Sequence, residues 1–175
     1  VVLGQNEKFN LPAFIDQLET SIAGQKSKVY TSAIREIDDF YGAYSKDDRT
    51  RCFLKVQDGC NYFCSYCTIP LARGKSRNPS ISTIVLQAKE AIDGGAKELI
   101  LSGVNIGDFG RSTNETFIDL LRALDAIEGT FRIRISSCEP NLLSDEIIDF
   151  VANSKHFAPH FHIPLQSGSN TVLKI

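Results

Sequence analysis

From residue 51 onward, short apolar runs alternate with longer amphipathic stretches. The short runs predict strands, and the longer stretches place apolar residues on one face of a helix. The predicted strands cover residues 52–56, 98–101, 131–135 and 160–165, and the predicted helices cover 80–93 and 117–127 and begin again at Ser144 and Ser169. This alternation predicts an α/β fold with a parallel sheet, which right-handed crossovers would curl towards a barrel. Four such units do not close a barrel, so we expect a partial (β/α) barrel.

The first fifty residues carry a different pattern. Residues 1–3 are apolar and predict a buried strand, and Asn10 is positioned to cap a helix with Pro12 in its first turn. We interpret residues 1–24 as the last strand–helix unit of a preceding α/β domain. Residues 25–50 are rich in charged side chains without a sustained period, which predicts an extended linker before a core domain at residues 51–175.

Composition narrows the class of protein. The chain has 175 residues, 42% of them hydrophobic, and a formal net charge of −2, so it can bury a core and has no overall positive charge for nucleic-acid binding. It lacks an apolar run of about 18 residues and a signal-peptide pattern, so we expect no membrane span. Cysteines without a targeting signal fit the reducing cytoplasm. Because the chain begins with Val1, we expect a piece of a longer protein.

Three of the five cysteines lie close together, at Cys60, Cys64 and Cys67. Thiolates spaced C-x3-C-x2-C on one loop can converge on a soft metal centre. Three ligands would leave one iron of a four-iron cluster free to bind a substrate or cofactor. Structural zinc sites use four protein ligands, so a zinc site would recruit Cys52 or Cys138 as the fourth. A disulfide framework is disfavoured because the cysteine count is odd and the chain is not a small, cysteine-dense one.

Polar residues follow the predicted strands at their carboxyl ends, where functional groups gather in parallel α/β folds. The cysteine loop, residues 60–67, follows the first strand. The other candidates are Ser102, Gly103 and Asn105 after the second strand, Ser136 and Glu139 after the third, and Gln166 and Ser167 after the fourth. We therefore expect these residues to face one opening of the sheet.

The motifs around the cysteines resemble those of radical S-adenosylmethionine (SAM) enzymes. An aromatic residue, Tyr66, precedes the third cysteine of the loop. The sequences at 67–74 and 76–77 are similar to the methylthiotransferase branch, as is the I-P-L-Q-S-G-S sequence at 163–169. The resemblance spans most of residues 51–175, with a weaker similarity in residues 1–24. It implies the radical SAM fold, a partial barrel of six units, so the chain would end two units early.

The resemblance also implies the cofactors. Cys60, Cys64 and Cys67 would hold a [4Fe-4S] cluster whose free iron chelates the amino and carboxylate groups of S-adenosyl-L-methionine. One electron from the cluster would cleave SAM to methionine and a 5′-deoxyadenosyl radical. Methylthiotransferases carry three further cysteines for a second [4Fe-4S] cluster in the preceding domain, and these would lie upstream of this chain.

The same resemblance implies roles for the residues at the strand ends. Tyr66 would lie near the adenine of SAM, and the backbone of Ser102 and Gly103 would bind its amino group. The remaining cofactor-binding candidates are Asn105, Ser136, Glu139 and Gln166, whose amide, hydroxyl and carboxylate groups suit the ribose and methionyl parts of SAM. The structural alternatives are a packed loop aromatic for Tyr66, a strand-to-loop turn for Gly103, and caps or loop hydrogen bonds for the others.

Three cations follow the cysteine loop, at Arg73, Lys75 and Arg77. Alone they would favour a solvated loop, but the resemblance favours contacts with a nucleic-acid backbone. It implies a tRNA methylthiotransferase that acts on an unstacked nucleotide of the anticodon loop and receives electrons from an external donor. No obligate protein partner is evident.

Within the methylthiotransferase family, residues 61–67 and 72–74 look closest to enzymes that add a methylthio group at C2 of N6-threonylcarbamoyladenosine beside the anticodon. The alternative substrates are isopentenyladenosine in tRNA and an aspartate of a ribosomal protein. The alternative of another class is a non-catalytic metal-binding or RNA-binding module. Because the upstream domain and the last barrel units would be missing, we expect residues 1–175 alone to be inactive.

Overall fold

The computed structural model describes residues 1–18, 27–45 and 50–174. Strand β1 (Val2–Leu3) is followed by a 3-10 turn and helix α1 (Leu11–Leu18), and β1 pairs in parallel with strand β2 (Val29–Tyr30). The prediction that Asn10 caps α1 is wrong, because Asn10 is the last residue of the 3-10 turn that runs directly into the helix. Strand β2 lies within the predicted linker, and the domain boundaries at residues 24 and 50 stay predictions.

The remainder of the described chain is built on a parallel sheet of three strands in the order β3–β4–β5. These strands are β3 (Arg51–Lys55), β4 (Glu98–Ser102) and β5 (Arg132–Ile135). The helices are the short α2 (Ile69–Arg73) and α3 (Ile81–Asp93) after β3, α4 (Phe117–Asp125) after β4, and α5 (Asp145–Asn153) after β5. The predicted α/β fold with a parallel sheet is confirmed. None of the described helices is long and apolar enough to cross a bilayer.

Helices α3 and α5 begin where the sequence predicts. The hydroxyl of Ser80 accepts a hydrogen bond from the N–H of Thr83 at 3.3 Å, and the hydroxyl of Ser144 accepts one from the N–H of Ile147 at 3.4 Å. Each serine thereby satisfies an N–H group that has no partner within the first helical turn.

The sheet has two different faces. Alternation along β3 places Cys52 and Leu54 in the core and Phe53 and Lys55 on the opposite face. Fully buried residues of the strands and helices form one apolar cluster, which includes Leu54, Ile84, Leu99, Leu101, Leu120, Leu121, Leu124, Ile133 and Ile135. The helices therefore pack on the face that carries Leu54, and the other face is lined with aromatic and charged side chains.

The prediction of a fourth strand at residues 160–165 is wrong. Among the described residues, the segment forms one isolated parallel bridge, between His162 and Ser137 beyond the end of β5, and Phe157 before the segment forms another with Ile133. Proline has no N–H group to donate to a neighbouring strand, and Pro159 and Pro164 interrupt this segment. The helix predicted from Ser169 is also shorter than expected, since only a 3-10 turn at Val172–Lys174 forms there.

Candidate active site

The cysteine loop joins β3 to α2 at the carboxyl edge of the parallel sheet. Cys60, Cys64 and Cys67 are all partly exposed and carry free thiols. The N–H of Cys67 donates to the carbonyl oxygen of Cys64 at 2.9 Å, and the N–H of Tyr62 donates to the sulfur of Cys60 at 3.4 Å. The fold thus presents the three predicted ligands on one short, turned segment.

The electrostatics of the loop bear on whether a metal centre fits. Burial raises the pKa of the Cys60 thiol, and negative charge on Asp108, Cys64 and Cys67 raises it further. Thiolates that repel one another in this way are stabilised when a metal centre binds them. Within the ranges described above, no three His, Cys, Asp or Glu side chains are already arranged as a metal site. The donor set of three thiols fits a soft centre such as an iron–sulfur cluster, which would draw the sulfur atoms together.

Two tyrosines of the cysteine loop contact segments far along the chain. The side-chain amide of Asn141 donates to the Tyr62 hydroxyl at 2.7 Å, and the guanidinium of Arg111 lies 5.9 Å from the centre of the Tyr62 ring. The Tyr66 hydroxyl donates to the side-chain oxygen of Gln166. Tyr66 remains 74% exposed, so most of its ring is open to a ligand.

Four of the predicted cofactor residues form a single hydrogen-bonded series that starts at Tyr66. Beyond the Tyr66–Gln166 contact, the side-chain nitrogen of Gln166 donates to Glu139 at 3.1 Å. The backbone N–H of Glu139 donates in turn to the side-chain oxygen of Asn105 at 3.3 Å. The structure therefore brings together residues that the sequence predicts after four different strands.

The other predicted cofactor residues lie at the same edge, with Ser102 at the end of β4, Gly103 directly after it and Ser136 directly after β5. A Cβ atom on Gly103 would lie 2.9 Å from the carbonyl oxygen of Gln57, so a glycine permits this close approach. The hydroxyl of Ser136 and the side-chain nitrogen of Asn105 are buried without a hydrogen-bond partner in the described part of the chain. Unpaired buried polar atoms are costly, so a polar ligand at this edge would satisfy them.

Gln57 is a buried residue of the site that no motif predicts. Its side-chain nitrogen lies 2.7 to 3.0 Å from three acceptors of the cysteine-loop region, the carbonyl oxygens of Asp58 and Gly59 and the hydroxyl of Ser76. Its side-chain oxygen accepts from the N–H groups of Val104 and Asn105 at 2.9 and 3.0 Å. Gln57 therefore joins the cysteine loop to the loop after β4. The one sequence signal is a glutamine directly after the predicted strand at residues 52–56.

Asp58 is the centre of a charge cluster beside the cysteine loop. Its carboxylate pairs with Lys55 at 2.9 Å, Arg73 at 3.1 Å and Arg77 at 3.0 Å. Burial acts to raise the pKa of Asp58, but hydrogen bonds and charge from Lys55 and Arg73 outweigh it and hold the pKa below its usual value. These ion pairs tie the segment before the first cysteine to the segment after the third.

The Arg77 side chain is buried, contrary to the expectation that it contacts a nucleic-acid backbone. The Arg77 side chain is only 6% exposed, and it also donates to the carbonyl oxygens of Asp39, Arg73 and Lys75. A buried guanidinium with these partners stabilises the loop and is not accessible to a phosphate at the surface. Lys75 is exposed and the Arg73 side chain is 42% exposed, so these two remain candidates for contacts with a ligand.

A cavity of about 770 Å³ opens on the sheet face that carries Phe53 and Lys55. Its lining includes Tyr44, Phe53, Lys55, Arg73, Ser102 and Gly103. It adjoins the cysteine loop because Arg73 belongs to α2, which follows that loop directly. A concave site of this size with a few polar groups suits a small organic ligand.

Residues 54–175 match the Radical SAM superfamily. The match covers more than half of the chain, and the chain therefore belongs to the radical SAM superfamily. The three-cysteine loop and the helices and strands that follow it lie within the matched residues.

The chain is also similar to named tRNA-modifying enzymes. The threonylcarbamoyladenosine tRNA methylthiotransferase of Bacillus subtilis is 39% identical over 179 residues, which cover 99% of this chain and 39% of that protein. The tRNA-2-methylthio-N(6)-dimethylallyladenosine synthase of Alkaliphilus oremlandii is 40% identical over 124 residues, which cover 70% of this chain and 26% of that protein. The synthase of the same name from Clostridium botulinum is 30% identical over 179 residues, which cover 99% of this chain and 38% of that protein. The chain thus spans about two fifths or less of these relatives, whose similarity confirms the predicted resemblance to methylthiotransferases.

Proposed function

We propose that the chain forms the radical SAM core of a tRNA methylthiotransferase. The observation that carries this proposal is the placement of the cysteine loop beside the hydrogen-bonded series from Tyr66 to Asn105, at one edge of a parallel sheet. Membership of the radical SAM superfamily and the names of the three relatives support it.

Each group of site residues has a task in this proposal. Cys60, Cys64 and Cys67 hold a [4Fe-4S] cluster, and the bound cluster and SAM supply the one-electron chemistry of the reaction. The protein orients SAM through Tyr66, Ser102, Gly103, Asn105, Ser136, Glu139 and Gln166. The unpaired polar atoms of Asn105 and Ser136 are available for this purpose. The exposed Lys75 contacts the tRNA backbone near the anticodon loop.

The substrate we propose is N6-threonylcarbamoyladenosine beside the anticodon, which would receive a methylthio group at C2. The Bacillus relative bears this nucleoside in its name and matches nearly the whole chain at higher identity than the Clostridium synthase. Isopentenyladenosine, the dimethylallyl nucleoside, is the second candidate, because the Alkaliphilus synthase is 40% identical over its shorter match.

Further parts of the proposal concern the protein as a whole. We infer a partial (β/α) barrel around the cavity, a second [4Fe-4S] cluster in a domain that precedes this chain, and an external electron donor. A tRNA substrate and reduced thiols fit the cytoplasmic location that the sequence predicts.

The test is anaerobic reconstitution of the holoenzyme with iron and sulfide, followed by reduction in the presence of SAM and tRNA. We expect 5′-deoxyadenosine, together with a methylthiolated nucleoside that mass spectrometry identifies after digestion of the tRNA. Iron loading without SAM cleavage would instead indicate a structural or electron-carrying cluster.

Two cysteine variants complete this experiment. Cys64→Ala should lose SAM cleavage, because it removes a proposed cluster ligand. Cys138→Ala should keep it, because burial raises the pKa of the Cys138 thiol to about 11 and disfavours the thiolate that a metal needs. Loss of metal in both variants, with one zinc bound by the wild type, would favour the four-ligand zinc site.

A further inference from the structure

The charges around Asp58 do not balance. Three cationic side chains, those of Lys55, Arg73 and Arg77, contact this single carboxylate. One negative charge cannot neutralise three positive ones, so the cluster keeps a positive field that favours a further anion.

Two of these cations face the cavity. Lys55 and Arg73 belong to its lining, whereas the Arg77 side chain is buried behind them. Arg73 contacts Asp58 through one nitrogen of its guanidinium and makes no other hydrogen bond to the described residues through its side chain. The remaining donors of this planar fork are available to a carboxylate, which it matches in geometry.

The surroundings of Lys8 support a positive field at this place. Partial burial lowers the pKa of the Lys8 ammonium, and repulsion from Arg73 lowers it further. The charges of Lys55 and Arg77 also lower the pKa of Lys8, whereas the charge of Asp58 raises it. A fourth cation therefore experiences a net positive environment next to Arg73.

The rest of the cavity suits the remainder of a nucleoside. Phe53 is 47% exposed on the sheet face, and Tyr44 lines the same cavity. Aromatic side chains offer flat apolar surface to a base. Ser102 lies opposite Lys55 in the pairing of β3 with β4 and adds a hydroxyl at the same end.

We propose that Lys55 and Arg73 form a carboxylate-binding subsite that takes the carboxylate of the threonylcarbamoyl group. The inference rests on the proposed function and adds a determinant of substrate specificity to it. The threonylcarbamoyl group carries a carboxylate, whereas the dimethylallyl group is an uncharged hydrocarbon. A pair of cations in the cavity lining therefore discriminates between the two nucleosides. The methionyl group of SAM is the other source of a carboxylate at this site.

A contact with the phosphate backbone of the RNA fits the geometry less well. Backbone contacts come from exposed side chains that reach phosphates at the surface. The Lys55 side chain is 19% exposed and already contacts the carbonyl oxygen of Tyr41 and the ring of Phe40. Lys55 thus lies at the wall of the cavity, where two of its three N–H groups donate to Asp58 and Tyr41 and its third N–H and its charge remain for a small anionic group.

The test uses the reconstituted holoenzyme and two anticodon stem-loops, one with threonylcarbamoyladenosine and one with dimethylallyladenosine. Arg73→Gln and Lys55→Gln should each raise the dissociation constant of the threonylcarbamoyl RNA at least tenfold and change that of the dimethylallyl RNA less than twofold. Arg73→Lys should restore part of the loss, since it restores the charge. Arg35→Gln, at a side chain that is 84% exposed, is the matched control and should change neither constant more than twofold.

The affinity for SAM is measured separately without RNA. A SAM dissociation constant raised at least tenfold in Arg73→Gln, with both RNAs affected alike in its presence, would assign the carboxylate subsite to SAM and overturn its role in discriminating between the nucleosides. A uniform loss for both RNAs with unchanged SAM affinity would mean a phosphate contact and would overturn the proposal. Unchanged affinities for SAM and for both RNAs would overturn it as well.

The wild-type product assay reports on the proposed function independently. If the wild type makes no methylthiolated nucleoside from either RNA, the proposed function fails, and the subsite is judged on the binding constants alone. If neither RNA binds, the SAM arm decides, and a SAM affinity that Arg73→Gln leaves unchanged counts against the subsite. Thermal unfolding and iron content of each variant identify any loss that comes from misfolding.

Discussion

The side-chain oxygen of Gln57 accepts a hydrogen bond from the backbone N–H of Asn105 at 3.0 Å, although the two residues are 48 positions apart. This contact links the start of the cysteine loop to the loop after β4, which carries predicted SAM contacts. A fully buried amide that binds both loops sets their separation. Gln57 is therefore a positioning residue for two parts of one site.

Gln57→Glu tests this coupling with little change in shape. A carboxylate cannot donate to the carbonyl oxygens of Asp58 and Gly59, so we expect the free energy of unfolding to fall by about 3 kcal/mol. We also expect the dissociation constant of SAM to rise about tenfold in the cluster-loaded enzyme, because the two loops separate. Urea unfolding and SAM titration measure these effects.

The matched control for Gln57→Glu is Asn170→Asp, the same amide-to-carboxylate change at an exposed site. It should change the free energy of unfolding by less than about 0.5 kcal/mol. A Gln57→Glu protein with normal SAM affinity and normal stability would contradict the positioning role.

Alanine substitutions at Gly59 and Gly95 distinguish the effect of a steric clash from that of backbone strain. Both have positive φ angles, +70° at Gly59 and +99° at Gly95. A Cβ atom at Gly59 would lie 1.9 Å from the carbonyl oxygen of Lys75, whereas nothing lies within 4 Å of one at Gly95. Gly95→Ala should cost about 1 kcal/mol, the strain of a left-handed residue. Gly59→Ala should cost more than about 3 kcal/mol, since the backbone must move.

The two alanine variants are compared by urea unfolding and by the iron bound after reconstitution. We expect Gly95→Ala to load its cluster normally and Gly59→Ala to load poorly, because the cysteine loop cannot close. Equal destabilisation of the two variants would show that the contact of Gly59 with Lys75 does not determine the shape of the loop.

Loss of charge at Arg77 should lower stability, whereas loss of charge at Lys75 should weaken tRNA binding. Arg77→Gln removes a buried partner of Asp58, so we expect the free energy of unfolding to fall by about 2 kcal/mol. Lys75→Gln should change the free energy of unfolding by less than about 0.5 kcal/mol. It should weaken tRNA binding at low salt, and the slope of the logarithm of the binding constant against the logarithm of the salt concentration should fall in magnitude by about one. Urea unfolding and tRNA binding at several salt concentrations test the pair. An Arg77→Gln protein of normal stability would place Arg77 back among the candidate RNA contacts.

Glu98 predicts how stability depends on pH. Its carboxylate pairs with Arg51, Arg132 and Arg134 at 3.0 to 3.1 Å. Burial acts to raise the pKa of Glu98, but the hydrogen bond from Arg134 and the arginine charges outweigh it and hold the pKa below its usual 4.5. A lowered pKa in the folded state stabilises the protein above pH 4.5, and this contribution is lost as the pH falls through the folded-state pKa.

Glu98→Gln should therefore be less stable than the wild type by about 2 kcal/mol at pH 7, and its stability should fall less steeply below pH 4.5. Urea unfolding between pH 7 and pH 3 measures how the free energy of unfolding of each protein changes with pH. Glu128→Gln, at an exposed position, is the control and should follow the wild-type curve. Parallel curves for Glu98→Gln and the wild type would rule out a linked proton at Glu98.

Local features of this protein follow from the sequence alone. The serine caps at Ser80 and Ser144, the amphipathic helices and the C-x3-C-x2-C loop depend on residues that are near one another along the chain. Short-range periodicity and side-chain type determine such features, and the cysteine spacing indicates its soft-metal chemistry before any fold is known.

Contacts between distant segments are decided only by the tertiary structure. Arginine is usually a surface residue, but Arg77 is buried against Asp58. Gln57 belongs to no sequence motif, yet its side chain joins two loops. The segment at 160–165 has the apolar pattern of a strand, but it makes only an isolated bridge to the end of the sheet. In each case the outcome depends on which backbone and side-chain groups the folded chain brings within hydrogen-bonding distance, and the order of residues along the chain does not specify that proximity.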